Sequence, residues 1–212
     1  EYVIALVENA IENGAELKLQ SEVVDIKKEE DIFKVKTSDD NTYEGKFVIN
    51  ASGLNGAKIS SMITETNFTI HPRSGEYLLM QKGTGEKIKQ VLFQTPSPKS
   101  KGILVTRTYH NNLLLGPDAI DEEEIDLGTH IERLAEIYKL GLKSVKDDVI
   151  DLKKFIRSFA GLRPASSTGD FIIENTKTSG FINVVGIQSP GITSSPEVAK
   201  IVENILKDLN LK

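Results

Sequence analysis

The sequence predicts an α+β (α/β) fold, a mixed and largely antiparallel sheet with helices packed against it. Three observations predict this. Short runs rich in Val, Ile and Phe recur between clusters of Gly, Asn, Asp and Pro, the pattern of short strands and turns. Other stretches carry apolar residues three and four apart, the pattern of amphipathic helices. One strand, Phe181–Val185, leads through a glycine-bearing loop into a helix, the strand–loop–helix unit of α/β architecture.

Taken in order, Tyr2 to Asn13 reads as a helix, with Ile4, Val7, Ala10 and Ile11 on one face. Asn13-Gly14 closes it, glycine being the cheapest left-handed residue. Ala15 to Leu19 reads as a short strand. A meander follows through Val23, Val24 and Ile26, then Phe33 and Val35, then Thr42 to Gly45, with Ser38-Asp39-Asp40-Asn41 as a turn. Lys46 to Asn50 is an apolar strand ending in Ala51-Ser52-Gly53, and a short helix spans about 56–63. Strands are then expected at Tyr77 to Met80, Val91 to Gln94, Ile103 to Thr106 and Leu113 to Leu115, with turns at Gly83-Thr84-Gly85 and Asn111-Asn112. The acidic run Asp121 to Asp126 reads as a solvated loop before a helix over 128–140, with Ile131, Leu134, Ala135 and Tyr138 on one face. Further strands are Phe155 to Phe159, Phe171 to Ile173 and Phe181 to Val185. In the last helix, Ser195 suits the N-cap and Pro196 the first helical position. Its apolar stripe is Val198, Ile201, Val202, Ile205, Leu206 and Leu209.

Composition narrows the function. A chain of 212 residues can bury a sizeable core. The net charge of −5 argues against nucleic acid or an anionic membrane as a partner. The chain has no cysteine, which excludes disulfides, thiolate metal sites and a cysteine nucleophile within it. The three histidines, His71, His110 and His130, lack metal-ligand spacing, so no metal site is expected. No apolar run approaches the roughly 20 residues of a membrane span. The opening carries no signal-peptide pattern, which points to the cytoplasm. A helix that begins at Glu1 without a start signal points to a piece of a longer protein.

Three constellations can carry chemistry. The loop Gly186-Ile187-Gln188-Ser189-Pro190-Gly191 joins a strand end to a helix N-terminus, where amides and the helix dipole receive negative charge. Gly186 and Gly191 would let a planar ligand approach the backbone. The same pattern also suits an ordinary strand–loop–helix connection. In Gly161-Leu162-Arg163-Pro164, Pro164 holds Arg163 extended, and an arginine so fixed suits a carboxylate or phosphate. An ion pair or a surface position explains it equally well. Ile49 to Gly53 places small residues at a strand end, fit for a ligand or for close packing. No residue singles itself out as a catalytic base.

The segments Val48-Ile49-Asn50-Ala51-Ser52-Gly53, Pro72-Arg73-Ser74-Gly75-Glu76-Tyr77, Phe159-Ala160-Gly161-Leu162-Arg163-Pro164 and Gly186 to Thr193, in this order, are telling. Together they resemble the D-amino-acid-oxidase-like superfamily of FAD-dependent oxidoreductases. The resemblance covers nearly the whole chain and is strongest to the branch of FAD-dependent glycerol-3-phosphate dehydrogenases, L-2-hydroxyglutarate oxidase-like proteins and glycine oxidases. It implies a partial FAD-binding, Rossmann-like domain over 1–63, a substrate-binding antiparallel sheet domain over 64–159, and a return to the FAD-binding domain over 160–212. It implies that Val23 lies by the adenine and that Ala51, Ser52 and Gly53 line the dinucleotide. Gly75 and Glu76 belong to the sheet that roofs the flavin, and Arg163 grips the acidic group of the substrate. Gly161, Gly186, Gln188, Ser189, Pro190, Gly191, Ile192 and Thr193 belong with the cofactor contacts.

The resemblance implies a small anionic alcohol as substrate: glycerol 3-phosphate first, a 2-hydroxy acid second, an amine or amino acid third. The electron acceptor or a partner domain would lie outside this chain. The strand–GxGxxG–helix unit that grips the FAD pyrophosphate is not in this sequence, so the isolated chain is expected to bind FAD weakly or not at all. The rival reading is a non-catalytic domain with the same fold.

Overall fold

The structure, a computed structural model, describes residues 1–95, 102–146 and 148–210. Helix α1 (Tyr2–Glu12) ends as expected: Gly14 is left-handed at φ +93°, and the Ala15 amide returns to the Ala10 carbonyl. Residues 15–19 form no strand, in contrast to the expectation. Alternation alone does not make a strand without a neighbour to pair with, and no described strand lies alongside.

Strands β1 (Val23–Glu29), β2 (Ile32–Thr37) and β3 (Thr42–Gly45) form the expected antiparallel meander. Asp39 anchors its second turn. Hydrogen bonds from Thr37 and Asn41 hold its carboxyl down at about 2.

Strand β4 (Val48–Asn50) leads through a 3-10 turn into α2 (Gly56–Ser60). It pairs in parallel with β11 (Phe181–Val185), whose other neighbour is antiparallel β10 (Ile172–Asn175). A polar seam crosses this small sheet. Asn50 and Asn183 stand opposite each other and are both buried. The Asn50 amide donates to the Asn183 carbonyl oxygen (3.0 Å) and to the Gly56 backbone carbonyl (2.9 Å). Asn183 in turn donates to Ser60, and the Ser52 hydroxyl to Asn50. Every buried amide thus finds partners, and the seam ties the strand ends to α2.

The second sheet is built on β5 (Ile70–Met80), which starts well before the expected Tyr77. Its early residues Pro72, Ser74 and Gly75 are poor strand formers. They are accommodated because β5 pairs along its length with β9 (Phe155–Ser166), where Pro72 faces Pro164. The Pro72 carbonyl points away from β9 and accepts from the Glu122 amide (2.9 Å). Neither ring therefore removes a bond of the β5–β9 ladder. Among the described strands β9 pairs only with β5, and proline is tolerated on such an edge.

The other side of β5 is shared by β7 (Leu113–Leu115) and β8 (Ile120–Asp121), with β6 (Val105–Arg107) beyond β7. Val91 to Gln94 gives only a bridge from Leu92 to Val105 instead of a strand. The acidic run is not simply solvated: Asp121 joins β8 and bonds Arg73, while Glu122 reaches Arg133 (3.0 Å). Helix α3 (Ile131–Leu142) packs on one face of this sheet. A core of Leu78, Met80, Val105, Leu113, Leu115, Ile137 and Ile150 forms there. A separate core joins Ile26, Phe33, Ile59 and Phe181.

Helix α4 (Gly191–Asp208) begins earlier than its sequence signals suggest: Pro190 is its N-cap, and Pro196 lies inside. Proline at 196 has no N–H for the Ile192 carbonyl. The Ser195 hydroxyl supplies that hydrogen bond instead (2.8 Å), which lets the helix pass through the proline. Among the described residues, no helix is long and apolar enough to cross a membrane.

Candidate functional site

The β5–β9 pair presents two faces, because residues alternate along each strand. One face carries Ser74, Glu76 and Leu78 and is covered by α3. The other carries three cross-strand pairs: Arg73 with Arg163, Gly75 with Gly161, and Tyr77 with Phe159. The two rings of the last pair stack with centroids 5.0 Å apart. Burial pushes the Tyr77 hydroxyl up, with the nearby Arg163 charge opposing.

The two glycines differ. A side chain at Gly75 would meet the Arg163 guanidinium, with Nη2 at 2.7 Å, and the loop residues Pro117 and Asp118. A side chain at Gly161 would meet nothing within 4 Å. This face therefore has open room beside Arg163.

Arg163 is the charged centre of the arrangement. Its Nη2 donates to the Asp118 carbonyl (2.9 Å), and among the described residues it has no carboxylate within ion-pair distance. Burial lowers its pKa, the Arg73 charge adds to this, and Tyr77 and Asp118 oppose it. A largely desolvated cation with spare donors is suited to an anion.

Arg163 lines a groove of about 680 Å³ together with Gln188, Ser189, Pro190, Gly191, Ile192 and Thr193, and Tyr2, Val3 and Leu6 of α1 line it as well. Helix α4 has no side-chain cap, and its first turn, Gly191 to Thr193, lies along this groove. Amides of a helix's first turn favour negative charge. The sequence places this start later, at Ser195; the structure moves the helix end to the groove itself.

A second groove, of about 410 Å³, is bordered by Val23, Val48, Ala51, Ser52 and Lys58. Val23, Ala51 and Ser52 thus come together. Gly53 is left-handed at φ +58° and stands at the start of the 3-10 turn beside them. Two glycines have a packing duty instead of an open approach. Gly186 is left-handed at φ +71°, and a side chain there would meet Ser166 at 2.9 Å. One at Gly191 would meet Ile187 at 2.5 Å.

Sequence reasoning missed one cluster. Glu76 is fully buried, accepts from the His130 amide (3.0 Å) and His130 Nδ1 (2.8 Å), and forms an ion pair with Arg133, whose Nε lies 3.1 Å away. Arg133 also grips Asp118 with two nitrogens, at 2.7 and 2.9 Å. Helical periodicity puts Arg133 off the apolar face of α3 but does not reveal its partners. His130 is held by the Glu76 hydrogen bond at a raised pKa, with burial opposing.

Comparison with known proteins gives the family of the chain. The family model of FAD dependent oxidoreductases (DAO) matches residues 1–205, and the chain belongs to that family. It is 44% identical over 214 residues to a glycerol 3-phosphate dehydrogenase of Caloramator mitchellensis, covering 100% of this chain and 44% of that protein. It is 31% identical to a glycerol 3-phosphate oxidase of Mycoplasma genitalium, over 86% of this chain and 48% of that one. The FAD-bound, dithionite-reduced L-α-glycerophosphate oxidase of Mycoplasma pneumoniae superposes with a TM-score of 0.85 at 25% identity, over 95% of this chain and 54% of that one. The chain thus spans about half the length of the relatives it matches.

Proposed function

We propose that the protein containing this chain is an FAD-dependent dehydrogenase or oxidase that oxidises the alcohol carbon of a small anion, glycerol 3-phosphate. One observation carries this reading. Arg163 is a largely buried guanidinium with a single carbonyl partner; open room lies beside it at Gly161, and it also lines a groove that runs to a helix N-terminus. An anionic group fits it better than any neutral one. The likeness to glycerol 3-phosphate dehydrogenase and oxidase supports the choice of anion.

The chain's residues fit FAD on their own chemistry. The groove by Val23, Ala51 and Ser52 suits a flat, weakly polar ring. The uncapped first turn of α4 suits negative charge on the edge of a reduced ring. In this reading Gly161, Gly186 and Gln188 to Thr193 border the cofactor, Gly186 and Gly191 by shaping the loop. Residues 1–63 with 160–212 form the cofactor part, and 64–159 the substrate part. FAD, when bound, supplies the two-electron acceptor for the C–H bond beside the hydroxyl. Arg163 binds and orients the anion, and the β5–β9 face with the Tyr77–Phe159 stack keeps water from one side of the reacting carbon.

The test uses the full-length protein. Its visible spectrum is recorded, then glycerol 3-phosphate is added without oxygen. Yellow protein that bleaches supports the reading. Bleaching only by a 2-hydroxy acid, or only by an amine, moves the substrate and keeps the enzyme class. Colourless protein that takes up no added FAD sinks the proposal.

A further inference from the structure

We propose that Asp118, clamped by Arg133, is the positioning residue for Arg163, carrying order from the covered face of the β5–β9 sheet through its edge to the ligand face. This rests on the reading of Arg163 as the grip for the substrate anion.

The argument begins at a gap in the sheet. Along β5, β7 pairs Leu78 and Leu79, and β8 pairs Arg73 and Ser74. Between them the amide of Glu76 has no strand partner. The Asp118 carboxylate takes that place: its Oδ1 accepts from the Glu76 amide at 2.8 Å. A side chain thus substitutes for a ladder carbonyl and pins the connection between β7 and β8 to the sheet.

The same carboxylate is held from the α3 side. Arg133 donates through Nε to Oδ2 (2.7 Å) and through Nη2 to Oδ1 (2.9 Å), a paired grip. Arg133 is itself fixed by Glu76, by Glu122 and by the Ser74 hydroxyl (3.3 Å). Asp118 and Arg133 side chains are each only 17% exposed, so solvent does not loosen the pair.

With its carboxylate fixed on one side, Asp118 turns its backbone carbonyl to the other. There it accepts from Arg163 Nη2 at 2.9 Å. The contact sits directly over Gly75, where a side chain would come within 2.7 Å of that nitrogen and 3.2 Å of that carbonyl. A guanidinium is planar, so one fixed acceptor sets the direction of its remaining donors. Those donors are the ones left for the substrate anion. Releasing Asp118 leaves Arg163 in place but free to turn. Binding of the anion then suffers, while the chemical step at the carbon does not.

The experiment compares full-length enzymes carrying Asp118→Asn, Arg133→Met, Arg133→Lys and Arg163→Met. KM and kcat are read for glycerol 3-phosphate, and the competitive inhibition constant for inorganic phosphate. Asp118→Asn is isosteric and keeps an acceptor for the Glu76 amide. In it, and in Arg133→Met, both KM and the phosphate constant are expected to rise roughly tenfold, the scale of one hydrogen bond to a charged group. kcat and flavin content stay within about twofold of wild type. Arg133→Lys keeps the charge without the paired grip and should fall between.

A fall in kcat and flavin content with unchanged phosphate inhibition would mean a merely structural role and overturns the proposal. So does an unchanged phosphate constant in Asp118→Asn and Arg133→Met when Arg163→Met raises it. If Arg163→Met itself leaves both constants alone, the reading of Arg163 falls, and this inference with it.

Discussion

Gly75 and Gly161 face each other across two strands, yet one is a packing requirement and the other a vacancy. The first lets the Arg163–Asp118 contact form over bare backbone. The second has no neighbour to accommodate, and its strand is an edge strand, where a β-branched residue is favoured by up to about 1 kcal/mol. Gly161→Val is therefore expected to leave the melting temperature unchanged or slightly raised. Its side chain would fill the room beside Arg163, so KM for glycerol 3-phosphate should rise in the full-length protein. Gly75→Ala should do the reverse in stability, lowering the melting temperature because Arg163 and the 117–118 loop must shift. Thermal melts and steady-state kinetics on the two variants separate the cases. A Gly161→Val protein with unchanged KM would show that the open face is not where the ligand goes.

At the scale of elements, α3 starts under electrostatic constraint. His130 is its N-cap residue, where a positive charge is ordinarily unfavourable. The hydrogen bond from its ring to buried Glu76 reverses that preference, helped by the charges of Glu76 and Asp126 and opposed by burial and by Arg133. The folded-state pKa is thus raised above the unfolded value of about 6.5. The stabilisation is fully present below about pH 6.5 and is lost as pH rises through the folded value. Urea midpoints of wild type and His130→Gln, followed from about pH 5.5 to about pH 8.5 around that value, should converge at the alkaline end. A gap that does not change with pH removes the charge argument. Sequence legibility divides along the same line between local and distant causes. β11, the meander and the glycine end of α1 were legible, because alternation and turn residues are local. The first half of β5 was not, because Pro72 is tolerated only through the strand opposite it. The start of α4 was misplaced because Ser195 and Pro196 imitate a helix entry while acting inside the helix. Arg163 and the 188–193 loop were legible as site candidates from their motifs. Asp118 and Arg133 were not, since nothing in either local pattern announces a bond through a gap in the sheet.

Across the whole molecule, the two buried cores share no residue. One gathers β5, β6, β7 and α3 around Leu113 and Leu115; the other gathers β1, β2, α2 and β11 around Phe33 and Phe181. Small residues mark places where they meet: Gly56 fits against Val185 and Ile70, and Gly186 against Ser166. Separate cores joined by small-residue contacts favour separate opening units. Leu113→Ala should cost about 2–5 kcal/mol and Phe33→Ala about 3–5 kcal/mol, as deletions from well-packed interiors do. Native-state hydrogen exchange then reads how far each loss spreads. Leu113→Ala is expected to lower protection in β6, β7 and the end of β5 while β1 and β2 keep theirs, and Phe33→Ala to do the opposite. Such a division would let the sheet that carries Arg163 and the groove by Val23, Ala51 and Ser52 loosen independently, so a defect in one need not disturb the other. If either substitution lowers protection equally throughout, the contacts between the cores couple them fully. Arg163 and the α4 loop would then be held by the stability of the whole molecule and not by their own sheet.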